Sequence, residues 1–247
     1  MLEHKKIQNL SDYFVELNSR REKGVYFYRI NGYSEEVGEF IKKYYDTARR
    51  TGVVIEGKIP NPDEGNLAYY NEIMGMDFQM SMDFIHVSLR KWLPRMNEFQ
   101  RQNVAASIYD SLDSLRKAGK TENMLRNAYI KFMCWLYYKF ERIVNQLGEN
   151  HIPKILYEGQ ISNYELMLIS ILSNAGCDVV LLQYAGDQGY LKTDPGSVLS
   201  DSLQMEGLQP FPQGYCVKKV RDEIQNELNN ERLYGICLLY TSPSPRD

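Results

Sequence analysis

The chain has 247 residues, with 29 basic and 32 acidic side chains and a formal net charge of −3. That balance argues against a nucleic-acid-binding domain, which is normally basic. Hydrophobic residues make up 43% and charged residues 25%, the proportions of an ordinary globular protein, and no stretch reaches the roughly 18 apolar residues that a membrane span needs.

The N-terminus, MLEHKKIQNL, carries charge but no apolar run, so it does not read as a signal peptide. Residues 11–22 read as a short helix with Ser11 as its N-cap. Residues 25–30 (VYFYRI) are β-branched and aromatic and predict a strand. Ser34, followed by Glu35 and Glu36, starts a helix to about Arg50, because acids suit the positive end of the helix dipole. Val37, Phe40, Ile41, Tyr44 and Ala48 recur on one face of it. Gly52 ends that helix and a second strand follows at 53–58, completing a β-α-β unit. Residues 60–66 are turn-rich.

Three helical stretches come next. The first covers 80–93 and stops at Pro94, the second covers 97–117, and the third covers 121–147 with Thr121 as N-cap. The third is apolar on most sides (Ala128, Ile130, Phe132, Met133, Trp135, Leu136, Phe140), which predicts a central, buried helix. The α/β pattern then returns. A strand at 154–158 leads to a helix capped by Ser162, with Leu166, Ile169 and Leu172 at helical spacing. Gly176 closes it, and residues 178–183 form a continuous apolar strand of the kind found inside parallel sheets. Residues 184–215 are loop-rich, and 217–234 is helical.

The expected fold is therefore α/β, with Rossmann-like βαβ units and a helical insertion. Its expected parts are an α/β segment at 1–60, a helical block at 61–150 and an incomplete α/β domain at 151–236. Residues 237–247 resemble a sequencing adapter read in frame. They are expected to be extended or disordered and to pack on nothing, leaving a chain truncated near Ile236. Cys134, Cys177 and Cys216 form no CxxC pair, which fits free thiols in a reducing compartment. The chain is expected to be cytoplasmic.

In open parallel sheets, ligands bind beyond the carboxyl ends of the strands. That rule points to Glu158, Gly159 and Gln160 after one strand and Asp187 after the next. Gly159 would let backbone approach a ligand, and the start of the Ser162 helix would attract an anion. The expected ligand is small and phosphorylated. No GxGxxG or GxxxxGK[ST] motif is present, so neither a dinucleotide nor a P-loop site is indicated, and no cofactor is assigned. Asp187 and Asp194 flank a turn, and the turn reading is preferred over a cation site. His4, His86 and His151 are isolated in sequence, so no metal site is expected. Cys134 sits in apolar company and reads as core, not as a nucleophile.

Three stretches together resemble a bacterial family. They are residues 53–62 (VVIEGKIPNP), 124–140 (MLRNAYIKFMCWLYYKF), and 154–159 (KILYEG) followed by Glu165. The resemblance is to the YceG-like family, described as a component of a "biosynthetic module". Its members are encoded beside tellurium-resistance (Ter) stress proteins. The resemblance implies an enzyme or enzyme subunit that handles a nucleotide- or sugar-phosphate-like ligand. The alternative it leaves open is a non-catalytic scaffold for proteins of the Ter operon. It carries no catalytic residue.

Overall fold

A computed structural model describes residues 2–60, 67–148 and 152–241; for residues 231–241 it describes the backbone alone. Five strands, β1 (Phe27–Ile30), β2 (Val53–Glu56), β3 (Lys154–Glu158), β4 (Asp178–Leu182) and β5 (Asp201–Ser202), form one sheet in the order β2-β3-β4-β1-β5. Every pairing is parallel. The α/β reading holds, and both βαβ units contribute to the same sheet.

Alternation along the strands divides the core in two. On one face, Phe27, Ile55, Ile155, Tyr157, Val179 and Leu181 meet the helical block and α7 (Asn163–Ala175). On the other, Tyr28, Ile30, Leu156, Val180 and Leu182 meet α1 (Glu35–Thr51). β4 is buried along its whole length, as a central parallel strand should be. Ser34 caps α1 by accepting from Val37 N–H, and all five residues expected on its inner face are buried.

The helical block follows a seven-residue helix, α2 (Ala68–Met74), that the sequence pattern did not reveal. Then come α3 (Met82–Trp92), α4 (Glu98–Lys117) and α5 (Glu122–Trp135). Phe132, Trp135 and Leu136 are all buried. The expected single helix over 121–147 is interrupted, however. A π-helical turn, Leu136–Phe140, follows α5, and only Glu141–Val144 (α6) resumes the α form. The widened turn lets Tyr137 stack on Tyr69 of α2 at 3.9 Å, with Tyr138 meeting the same ring edge-on.

Two further expectations are corrected. Residues 11–22 form no continuous helix; they hold two 3-10 turns, Leu10–Phe14 and Leu17–Ser19, and Asn9 rather than Ser11 is the cap. Tertiary contacts override helix propensity in this segment. Tyr13 is drawn inward to donate to Val179 O at 3.0 Å, and Arg20 is drawn to Asp178. At the other end, the last helix, α9 (Val217–Thr241), runs on into residues expected to be extended. The packing of its end, residues 242–247, the loop tip at 61–66 and His151 lie outside the described residues or side chains. No helix among the described residues is long and apolar enough to cross a membrane.

A buried ion cluster closes the N-terminal edge of the sheet. The Asp178 carboxylate accepts from Arg20 Nη1 and Nη2 at 2.9 and 2.5 Å, from Lys154 Nζ at 2.5 Å and from Tyr26 N–H at 2.9 Å. The Arg20 and Asp178 side chains are fully inaccessible. Burial lowers the Lys154 ammonium below its usual pKa, an effect that Asp178 opposes. Asp178→Ala should cost about 3–5 kcal/mol in urea unfolding, since it strands two buried cations. Lys154→Met should cost clearly less, because Arg20 still neutralises the carboxylate.

In the helical block, Phe132→Ala should also cost about 3–5 kcal/mol. Trp135→Ala should cost less than Phe132→Ala in the same denaturation series, because Trp135 borders an open groove that can take up the lost volume.

Candidate functional site at the carboxyl edge of the sheet

β1 and β4 are neighbours, yet the chain leaves them toward opposite faces. After β1 it enters α1, which packs with Tyr28, Ile30 and Leu182. After β4 it enters a short helix, α8 (Gln188–Leu191), whose Tyr190 belongs to the core on the other face. That divergence is a topological switch point, the place where open parallel sheets form a crevice. Its walls begin at Asn31 and Gln183.

Most polar groups at this edge are held by the chain itself. Gln183 donates its backbone N–H to Ile30 O at 2.9 Å and its side-chain amide to Gly159 O at 3.1 Å. Asn31 donates to Ser202 Oγ at 3.1 Å. One oxygen of Glu158 accepts from the Tyr184 hydroxyl at 2.6 Å and from Val217 N–H at 2.7 Å, so it serves the first turn of α9. Tyr184 also packs against Phe211 and Tyr215, with Tyr33 beyond them. Burial pushes the Tyr184 hydroxyl well above its ordinary pKa, and the Glu158 hydrogen bond adds to the effect. It is a committed donor at neutral pH.

Asp187 is committed too. Its carboxylate accepts from Arg29 Nε at 3.0 Å and Nη2 at 2.9 Å, a two-pronged pair of the strong kind. Arg29 is buried in the middle of β1; it also donates to Ser200 O and Oγ and lies over the Tyr190 ring at 4.1 Å. The 183–200 loop is thus clamped to the sheet. Within it, Asp194 accepts from Tyr190 OH, Val198 N–H and Leu199 N–H, the contacts of a turn.

The start of α7 carries its own anion. Glu165 accepts from Ser162 N–H at 3.0 Å, from Ser162 Oγ at 2.6 Å and from Ile59 N–H at 2.7 Å. Gly159 has φ +101°, a conformation that favours glycine, and a Cβ there would lie 3.4 Å from Gly57 Cα. Gln160 is exposed and its amide borders Gly189. The four residues Glu158, Gly159, Gln160 and Asp187 therefore share one edge, and Gln160 reaches the Asp187 turn. The two carboxylates turn into separate internal contacts.

Open space at this edge lies on the α1 side. One cavity of about 480 Å³ is bounded by Lys6, Tyr28, Glu36, Asp201 and Met205. A second, of about 270 Å³, lies beside Tyr33, Lys42, Tyr215 and Lys219. Neither takes in the four expected residues. These cavities were not legible in sequence: the first needs residues 6–10 laid along β1 and a two-residue β5, and neither has a periodic signal.

A family profile for the YceG domain matches residues 5–227. No curated protein and no protein of known structure matches the chain.

Asp187→Ala should cost about 3 kcal/mol in thermal or urea unfolding, because it leaves the buried Arg29 guanidinium unpaired. Thiol chemistry offers a second check. Burial pushes the Cys134 thiol up to about 11 and raises Cys177 further, so both hold little thiolate at pH 8. Of these and Cys216, the three cysteines among the described side chains, iodoacetamide followed by peptide mapping should modify the half-buried Cys216 first, with Cys134 and Cys177 modified only on unfolding.

Proposed function

This chain belongs to the YceG domain family, and from that premise we propose that it is a component of a bacterial biosynthetic module linked to Ter-type operons, binding a nucleotide- or sugar-phosphate-like ligand at the carboxyl edge of its sheet. What supports a ligand there is the switch point between β1 and β4, which leaves the strand ends uncovered by a shared connection. In this reading Gly159 and Gln160 present backbone and amide groups to the ligand. Glu158 and Asp187 position the surrounding loops and are not spare anions. A second reading, a non-catalytic scaffold for Ter-operon proteins, is favoured by one observation: both carboxylates and the start of α7 are already satisfied internally.

Calorimetric titration of the chain with nucleotides and sugar phosphates, with and without magnesium, is expected to show saturable binding. Gln160→Trp, at an exposed position, should abolish it and leave the melting temperature unchanged. Gly159→Val is unsuitable as a probe, because a β-branched residue at that φ strains the backbone by itself. Absence of binding across the panel, with Ter-operon proteins co-purifying through the helical block, would establish the scaffold reading instead.

A further inference from the structure

In the helical block, α2 and α5 enclose a groove of about 520 Å³. Its size is that of a small-molecule site, roughly 300–1,000 Å³. The walls are mostly apolar: Leu67, Tyr70 and Met74 from the α2 side, Ile130 and Trp135 from α5. Leu67 and Tyr70 leave more than a third of their surface exposed at the rim. The groove is braced and not a loose gap between helices. Tyr69 stacks on Tyr137 and donates to Met133 O at 3.4 Å, and Arg126 donates to Met74 O. The π-helical turn that places Tyr137 begins directly after Trp135, and such turns frequently mark functional sites.

The electrostatics of the lining are one-sided. Among the described residues it contains Lys131 and no acidic residue. The Lys131 ammonium lies 5.0 Å from the centre of the Trp135 ring and 5.1 Å from that of Tyr164. Among the described residues no carboxylate lies within ion-pair distance of it. A cation poised over two aromatic rings at the mouth of an apolar groove selects a ligand with an anionic end and an apolar body. The buried Cys134 thiol on the floor, with its pKa pushed up to about 11, adds a weakly polar surface and no nucleophile.

We propose that the groove between α2 and α5 binds an amphipathic organic anion, an apolar chain or ring ending in a carboxylate, with Lys131 receiving the carboxylate. The lining takes in none of Glu158, Gly159, Gln160 and Asp187, and the proposal holds whether or not a phosphorylated ligand binds beside them.

The test uses three ten-carbon probes below their micellar concentrations: decanoate, decanol and decyltrimethylammonium. Calorimetry and tryptophan fluorescence should show one decanoate site, with decyltrimethylammonium about tenfold or more weaker, the effect of one charge-assisted contact. Lys131→Met should reduce decanoate to the affinity of decanol. Lys131→Glu should reverse the order, so that decyltrimethylammonium becomes the preferred probe. Asn127→Trp, placed at an exposed position of the groove wall, should block all three with an unchanged melting curve. Failure of decanoate to saturate a site would overturn the proposal. So would equal affinity for the anionic and cationic probes, or binding indifferent to both Lys131→Glu and Asn127→Trp.

Discussion

The Asp178 carboxylate is the fixed point of this fold. It has no access to solvent, yet it is the first residue of the central strand, and a lone buried carboxylate would be prohibitively costly. Its four hydrogen bonds come from three separate pieces of chain: two from Arg20 in the N-terminal segment, one from Tyr26 before β1 and one from Lys154 at the head of β3. Satisfying one charge therefore aligns the starting ends of three adjacent strands. The register Phe27↔Val179 and Ile155↔Val179 follows from it. Tyr44 of α1 adds to the alignment by donating to Asp178 O at 3.0 Å, bringing the crossover helix down on the same point.

With the starting ends locked, the carboxyl ends are left to anchor the long connections. There the chain uses charge a second way. Arg29 points from the middle of β1 to Asp187, and Glu158 reaches from the end of β3 to the first turn of α9. Both acids hold long connections close to the sheet. The 183–200 loop and the 203–216 segment would otherwise lack an apolar face large enough to order them. A carboxylate after a parallel strand is thus ambiguous by itself: it serves a ligand or it serves a loop, and the partner decides which.

The helical block obeys a different constraint. α5 is apolar on most sides because it packs with α2 and α4, and one core cluster runs continuously around it. A regular α-helix through Leu136–Phe140 would turn Tyr137 away from Tyr69. The π-helical turn shifts the phase and keeps the stack, and that stack in turn holds α2 at the distance that leaves a groove.

Elements with a local signal were determined by sequence. Strands 53–56, 154–158 and 178–182 are short runs of β-branched and apolar residues ended by glycine or polar turns. α1 and α7 are announced by Ser34 and Ser162, with apolar residues at helical spacing behind them. The carboxyl edge as a place of interest followed from parallel topology alone. Whether Glu158 and Asp187 are free could not be read there, because Val217 and Arg29 lie 59 and 158 residues from them in sequence. The same limit hid α2, β5 and the π-helical turn, and it turned residues 11–22 into two 3-10 turns. None of these is stabilised by its own pattern. Each exists because distant parts of the chain, Tyr137 for α2, Tyr28 and Arg29 of β1 for β5, Val179 and Asp178 for the N-terminal segment, complete it. Sequence determined which pieces could form, since periodicity and capping are local; tertiary structure decided which polar groups are left for a ligand, since hydrogen-bond partners are not.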